Sequence, residues 1–229
     1  MKQDDSMTAL ATMQQQMSGQ FRLFLAALTV LSFGMISGAA IAQDETANSG
    51  SDAVMLVEKL HEGLEHLMMN GQTLGADGAS DYISAVVDDT YNLPALTAQS
   101  IGPSAFRGYD AEQKVRVVAA YRAFVISNYL SRFGKPLPIN FETVGHSEGP
   151  RGSTIVETQL VRKSGDPVQL VYVVATSKDG TTGIADVQYN GVSEAARRRS
   201  ELSSLARQGA DVLADALNKK AAQIAVDAE

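Results

Sequence analysis

The chain has 229 residues, a formal net charge of −7, no cysteine and no tryptophan. Without cysteine there is no disulfide framework, no thiol nucleophile and no lipoprotein attachment site. An acidic balance argues against nucleic acid and against avid binding to anionic membranes, both of which select basic patches.

Phe21 to Ala42 reads as a secretory signal, because an apolar run from Leu23 to Ile36 follows Arg22 and ends at Ala40-Ile41-Ala42, an A-x-A pattern. The run is short of the roughly 20 apolar residues of a membrane span, so residues 1–42 are expected to be removed before Gln43. Asp4 and Asp5 are unusual ahead of such a segment, which makes Met17 a candidate translation start. The exported remainder keeps 17 basic against 24 acidic residues. Residues 43–50, polar and small, are expected as a flexible leader, and 51–229 as a single domain of a size that builds its own core.

A first helix is predicted from Asp52 to Met69, where Val54, Val57, Leu60, Leu64, Leu67 and Met68 recur at helical spacing. Gly71 to Gly78 is expected as a loop, Asp81 to Tyr91 as a second helix, and Leu93 to about Ile101 as a short third. Asp110 followed by Gln113 fits a capping box that opens a long amphipathic helix to Phe133, stopped by Gly134 and Pro136. The period then changes to two, predicting strands at Ile139 to Gly145, Thr154 to Arg162, Val168 to Ala175 and Gly183 to Tyr189. Ser164-Gly165-Asp166 and Lys178-Asp179-Gly180 serve as hairpin turns between them. Helices Ser193 to Arg207 and Ala210 to Gln223 close the chain. Helices first and a hairpin sheet after them predict an α+β fold, with a curved antiparallel sheet of about four strands against a helical layer and two C-terminal helices.

Catalytic signatures are missing: there is no glycine-rich dinucleotide fingerprint, no P-loop, no His-Glu-x-x-His and no Gly-x-Ser-x-Gly. His61 and His66, with Glu62 and Glu65, have spacings that suit a metal, but they fall on two faces, and a solvated, charge-laced helix is the expected reading. No metal or other cofactor is expected. Asp186, an acid within an apolar strand, is costly to bury without partners; structural pairing is the expected role and a general acid or base the alternative. Arg197, Arg198 and Arg199 are expected as a solvated turn that could dock an acidic partner.

The phrases Asn92-Leu93-Pro94-Ala95-Leu96, Ala120-Tyr121-Arg122-Ala123-Phe124 and Tyr129-Leu130-Ser131-Arg132-Phe133 resemble the helical block of the MlaC and toluene-tolerance family of periplasmic lipid-binding proteins. So does the later run from Asp186-Val187 through Gly191-Val192-Ser193 to Arg198-Arg199-Ser200-Glu201-Leu202, which is most similar to the hopanoid-associated HpnM branch. Phe106 and Thr182 stand where the family often has tryptophan. The resemblance implies a curved-sheet fold of the MlaC, nuclear-transport-factor-like type, and a monomeric periplasmic carrier rather than an enzyme. It implies a cargo of phospholipid or hopanoid, an inner-membrane MCE protein with its ABC transporter, and an outer-membrane lipoprotein-porin complex as partners. Lining residues expected from the inward faces are Leu60, Leu64, Leu96, Ile101, Tyr121, Phe124, Val125 and Tyr129 from helices. Tyr172, Val174, Val187 and Tyr189 are their counterparts on strands. An enzyme on a related scaffold using Asp186, or an adaptor docking through Arg197 to Arg199, are the rival readings.

Overall fold

The computed structural model describes residues 40–228. Met17 and all but the last three residues of the expected signal lie outside the described residues.

The first helix, α1 (Ala40–Thr90), unites three segments that the sequence divides. Residues 43–50, expected as a flexible leader, are helical and continue its first arm; they hold no proline and only one glycine, so nothing in them forbids a helix. The loop expected over 71–78 is a correction, because Gly75 alone departs from helical geometry, at φ 71° and ψ 176°. That conformation is open to glycine without strain, so one residue does the work expected of eight. The chain folds back there. Lys59 pairs with Asp89 at 2.9 Å, the His66 ring lies 4.4 Å from that of Tyr82, and a Cβ at Gly63 would stand 2.6 Å from Val86. These contacts run in opposite order along the two arms, which makes α1 an antiparallel helical hairpin.

Helix α2 (Leu93–Ile101) starts at Asn92, whose side chain accepts from the Ala95 N–H at 3.1 Å. The same fully buried amide donates to Ser177 Oγ at 2.7 Å and to the Thr181 carbonyl at 2.9 Å, tying the helix cap to a hairpin of the sheet. Gly102, at φ 101°, separates α2 from a short α3 (Pro103–Gly108) absent from the sequence reading. The long helix α4 (Ala111–Phe133) carries both bonds of the expected capping box: Asp110 accepts from the Gln113 N–H at 2.8 Å, and the Gln113 side chain accepts from the Asp110 N–H at 3.0 Å.

The sheet is an antiparallel meander in the order β1-β2-β3-β4-β5. Its strands are β1 (Ile139–Glu148), β2 (Thr154–Arg162), β3 (Val168–Thr176), β4 (Thr182–Tyr189) and the two-residue β5 (Val192–Ser193). Four correspond to the expected strands and β5 is additional. Alternation in β3 buries Val168, Leu170, Tyr172 and Val174. Opposite Val173 and Val174 of β3, strand β4 holds one extra residue, Ala185, so Ile184, Ala185 and Asp186 are buried in succession instead of alternating. The start of β4 presses on the junction of α1 and α2: the Asn92 N–H donates to the Ile184 carbonyl at 3.1 Å, and a Cβ at Gly183 would meet Asn92 N at 2.4 Å. Only glycine allows that approach.

Helices α5 (Glu194–Gln208) and α6 (Ala210–Ala228) finish the chain, separated by Gly209 at φ 125°. Helix α6 packs along α4, and α5 along α2. Tyr109 donates its hydroxyl to the Ala206 carbonyl at 2.7 Å. Among the described residues no helix is long and apolar enough to cross a membrane. The fold is α+β, with the helices against one face of a curved antiparallel sheet, as expected.

Candidate functional site

A cavity of about 180 Å³ lies between α4 and the sheet. Helix α4 supplies its longest wall, because Tyr121, Phe124, Val125, Asn128, Tyr129, Arg132 and Phe133 recur every three or four residues and share one face. Phe141, Leu160, Leu170, Tyr172, Val187 and Tyr189 line it from β1 to β4. Leu64 and Tyr91 of α1, Leu96 of α2, and Glu194 and Arg198 of α5 complete it.

Of the twelve lining residues expected from sequence, the structure brings nine together here: Leu64, Leu96, Tyr121, Phe124, Val125, Tyr129, Tyr172, Val187 and Tyr189. Leu60, Ile101 and Val174 do not reach the cavity; they are packed into solid core, at 0%, 1% and 3% exposure. The distinction is physical. Periodicity marks the face of an element that leaves water, whereas a cavity wall is the part of that face whose opposite neighbours are missing. Tyr91, Phe133, Phe141, Leu160 and Leu170 line the cavity but escaped the sequence reading.

Four of the five lining phenols are held by one another and by neighbouring helices. Tyr91 and Tyr129 are hydrogen-bonded hydroxyl to hydroxyl, Tyr121 donates to Ser100 Oγ at 2.7 Å, and Tyr172 shares a bond of 2.9 Å with His61 Nε2. Burial pushes Tyr121 and Tyr129 up to about 12, and Tyr91 and Tyr172 well above their ordinary 10. Their hydroxyls are therefore neutral and already satisfied. An apolar guest meets ring faces without stripping any polar atom of its partner.

His61 corrects the expectation of a solvated histidine. It is 5% exposed and its ring stacks on Phe141 at 4.3 Å, behind the cavity wall. Burial lowers it from 6.5 to about 4. Acid therefore loads protons onto the unfolded chain first: the stability tied to a neutral His61 is complete above about pH 6.5 and drains away as the pH falls toward 4. Full loss corresponds to about 3 kcal/mol. Urea unfolding between pH 7 and pH 4 is expected to show this slope in the parent, and His61→Gln to flatten it; equal slopes would remove His61 as its source. His66 lies against Tyr82, apart from His61, and the described residues contain no group of three or more metal-ligating side chains.

Asp186 takes the structural role. It is 6% exposed, is not among the residues lining the cavity, and accepts from the Val187 N–H at 2.8 Å, the Ser193 hydroxyl at 2.5 Å and the Ala195 N–H at 3.0 Å. The three arginines do not form a common basic patch. Arg197 pairs with Glu194 at 2.7 Å and Glu201 at 3.0 Å, and Arg199 donates to the Gln99 carbonyl at 2.8 Å. Arg198 turns inward to the cavity wall, its guanidinium 4.7 Å above the Phe124 ring and 2.9 Å from Glu201.

A second cleft, of about 650 Å³, lies where the Gly75 turn meets α4. Polar and charged side chains, Gln72, Asp77, Ser84, Arg122, Ser127, Ser131 and Lys135, line it together with alanines, Ile126 and Leu130, and it contains no aromatic ring. The smaller cavity is the one suited to an apolar guest.

A family model described as MlaC protein matches residues 59–219. The chain matches no curated protein. Among solved structures it is similar to a phospholipid-binding protein from Ralstonia solanacearum, determined in complex with a phospholipid. The TM-score is 0.61 and the identity 15%, over 77% of this chain and 98% of that one. At that identity the likeness establishes a shared fold.

Proposed function

The chain belongs to the MlaC family, and on that premise we propose that it is a periplasmic lipid carrier, which shields acyl chains in the cavity between α4 and the sheet and moves them between membrane complexes. The observation that carries this reading is the convergence of aromatic and aliphatic side chains on one cavity, several of them only half-buried. Val125, Tyr129, Phe133, Phe141, Leu160 and Val187 all keep some exposure while facing it. A solid core would bury them fully.

Each methylene transferred out of water gains about 0.8 kcal/mol, so a long acyl chain crosses an aqueous gap only under cover. The cavity is smaller than the roughly 300–1,000 Å³ of most ligand sites, and a lipid must part its walls. Carriage without chemistry is consistent with a wall four of whose phenols, those of Tyr91, Tyr121, Tyr129 and Tyr172, are neutral and paired. What supports carriage over the enzyme and adaptor readings is that Asp186 already accepts from three donors and that the three arginines are engaged by carboxylates, a carbonyl and a ring.

In this reading residues 1–42 are an export signal, 43–50 a leader and 51–229 the lipid-binding domain. The partners are an inner-membrane MCE protein with its ABC transporter and an outer-membrane lipoprotein-porin complex. Within the family we place the chain in the HpnM branch, on the run from Asp186 into α5, which adds hopanoid to phospholipid as cargo. The test is to express the full chain, purify it without detergent and identify by mass spectrometry what denaturation releases. A stoichiometric lipid is expected. An empty protein that also extracts nothing from vesicles would overturn carriage.

A further inference from the structure

Four phenols of the cavity wall have partners, but their protons do not balance in the same way. A neutral phenol carries one proton to donate and lone pairs that only accept. Tyr121 gives its proton to Ser100 Oγ at 2.7 Å. Tyr172 meets His61 Nε2 at 2.9 Å, and a neutral imidazole has one nitrogen that is purely an acceptor, so that pair closes on itself once the His61 proton sits on Nδ1. Tyr91 and Tyr129 meet hydroxyl to hydroxyl. Two phenols bring two protons to one bond, and whichever of them donates, the proton of the other is left over.

The protein offers that proton no second acceptor. Among the described residues neither phenol makes another hydrogen bond, and Tyr172 is engaged with His61. Water is kept away as well: Tyr91 is 7% exposed, and Tyr129, half-buried as a residue, is pushed up to about 12 chiefly by burial, so its hydroxyl end is the enclosed one. Burial raises both phenols, and the bond between them raises Tyr91 further while drawing Tyr129 down. Those are the signs of a bond donated by Tyr91 and accepted by Tyr129, which leaves the Tyr129 proton on the long wall of α4. Other donors on this wall lack that need, since Asn128 donates to the Phe124 carbonyl at 2.7 Å and Arg132 is open to solvent. A buried donor without an acceptor is destabilising, and both phenols line the cavity, so an acceptor on the guest answers it.

We infer that the Tyr91–Tyr129 pair is a hydrogen-bond donor to the guest, and that it selects lipids whose chains are joined through an ester carbonyl over those joined through an ether. This rests on the carrier reading and adds a preference for the linkage to it. A carbonyl oxygen accepts and has no proton of its own, so one carbonyl takes the one proton left over; a hydroxyl would bring a further proton in need of an acceptor. An ether oxygen is the weaker acceptor, and a plain hydrocarbon offers none.

Vesicles of phosphatidylcholine made equally from diacyl and dialkyl forms with chains of one length isolate the carbonyl. The full-length chain is incubated with them and recovered, and its bound lipids are counted by mass spectrometry. The parent is expected to favour the diacyl form about fivefold, the effect of one hydrogen bond. Tyr91→Phe removes the bond between the phenols but leaves the Tyr129 proton, so it should keep the preference. Tyr91→Phe combined with Tyr129→Phe removes both protons and should abolish it, and replacing both partners by rings of the same shape spares the fold. A parent that loads both forms equally, or a double variant that keeps the preference, would overturn the role of the pair and leave carriage standing. Loss of the preference in Tyr91→Phe alone would overturn the proton count. A parent that loads neither form would overturn carriage and this inference with it. Should the double variant not fold, the infrared band of isotope-labelled ester carbonyls on the loaded parent decides the matter. A hydrogen-bonded component retained in Tyr91→Phe is expected, and a free-ester band alone would overturn the inference.

Discussion

Val125→Trp is expected to strip the protein of lipid while leaving it folded. Val125 lies on the cavity face of α4 and is only half-buried, so an indole can turn into the space that the guest would occupy instead of into packed neighbours. Displacing just two methylenes of a guest costs about 1.6 kcal/mol, more than a tenfold loss of affinity, and an indole in a cavity of about 180 Å³ displaces more than that. The folded state is expected to change by less than about 1 kcal/mol, because overpacking is costly only where no void receives the added atoms. Val174 supplies the contrast. It faces the same helical layer but is 3% exposed and outside the cavity, so Val174→Ala should cost about 2 kcal/mol of stability with the lipid load per folded molecule retained. Lipid released on denaturation, together with urea midpoints, measures both. A Val125→Trp protein that keeps a full load would remove this cavity as the lipid site.

The elements that were legible are those whose determinants lie within a few residues of one another. Asp110 and Gln113 announce the start of α4, Leu93-Pro94 that of α2, and the β-branched and aromatic run from Val168 to Val174 that of β3. What was illegible depends on contacts distant in sequence. Gly71, Gly75 and Gly78 look alike as turn residues, and only the packing of Gly63 on Val86 and Lys59 on Asp89 reveals that Gly75 alone takes the turn. His61 sits among glutamates and reads as a surface residue, yet Phe141, eighty residues on, covers its ring. Leu60 and Leu64 are one turn apart with the same periodic signature; Leu64 lines the cavity and Leu60 is sealed. The three successive arginines read as one basic surface because sequence shows their charge and hides their partners, which lie on α5 itself, on α2 and on α4.

Asp186→Ala is expected to destabilise the chain by about 4 kcal/mol, summed over donors that each cost about 1–3 kcal/mol when left buried and unpaired. The carboxylate holds the turn from β4 into α5 at three points. It takes the Val187 N–H at 2.8 Å, fixes the Ser193 hydroxyl at 2.5 Å and satisfies the Ala195 N–H at 3.0 Å in the first turn of the helix. Ser193 depends on it twice over: with its proton donated to Asp186, its oxygen is turned to accept the Ala196 N–H at 3.0 Å, which is the cap of α5. A negative charge at that helix start also complements the dipole. Asp186→Asn keeps the shape and one acceptor but sets an amide N–H2 against a hydroxyl, so about half the loss is expected. Urea midpoints at constant slope report both variants. The loss should reach the cavity as well, since the first two turns of α5 carry Glu194 and Arg198 into its wall, and fraying there frees Arg198 from the Phe124 ring. A catalytic Asp186 makes the opposite forecast, a stable Asp186→Asn protein with its lipid content unchanged, and that outcome would return the aspartate to chemistry.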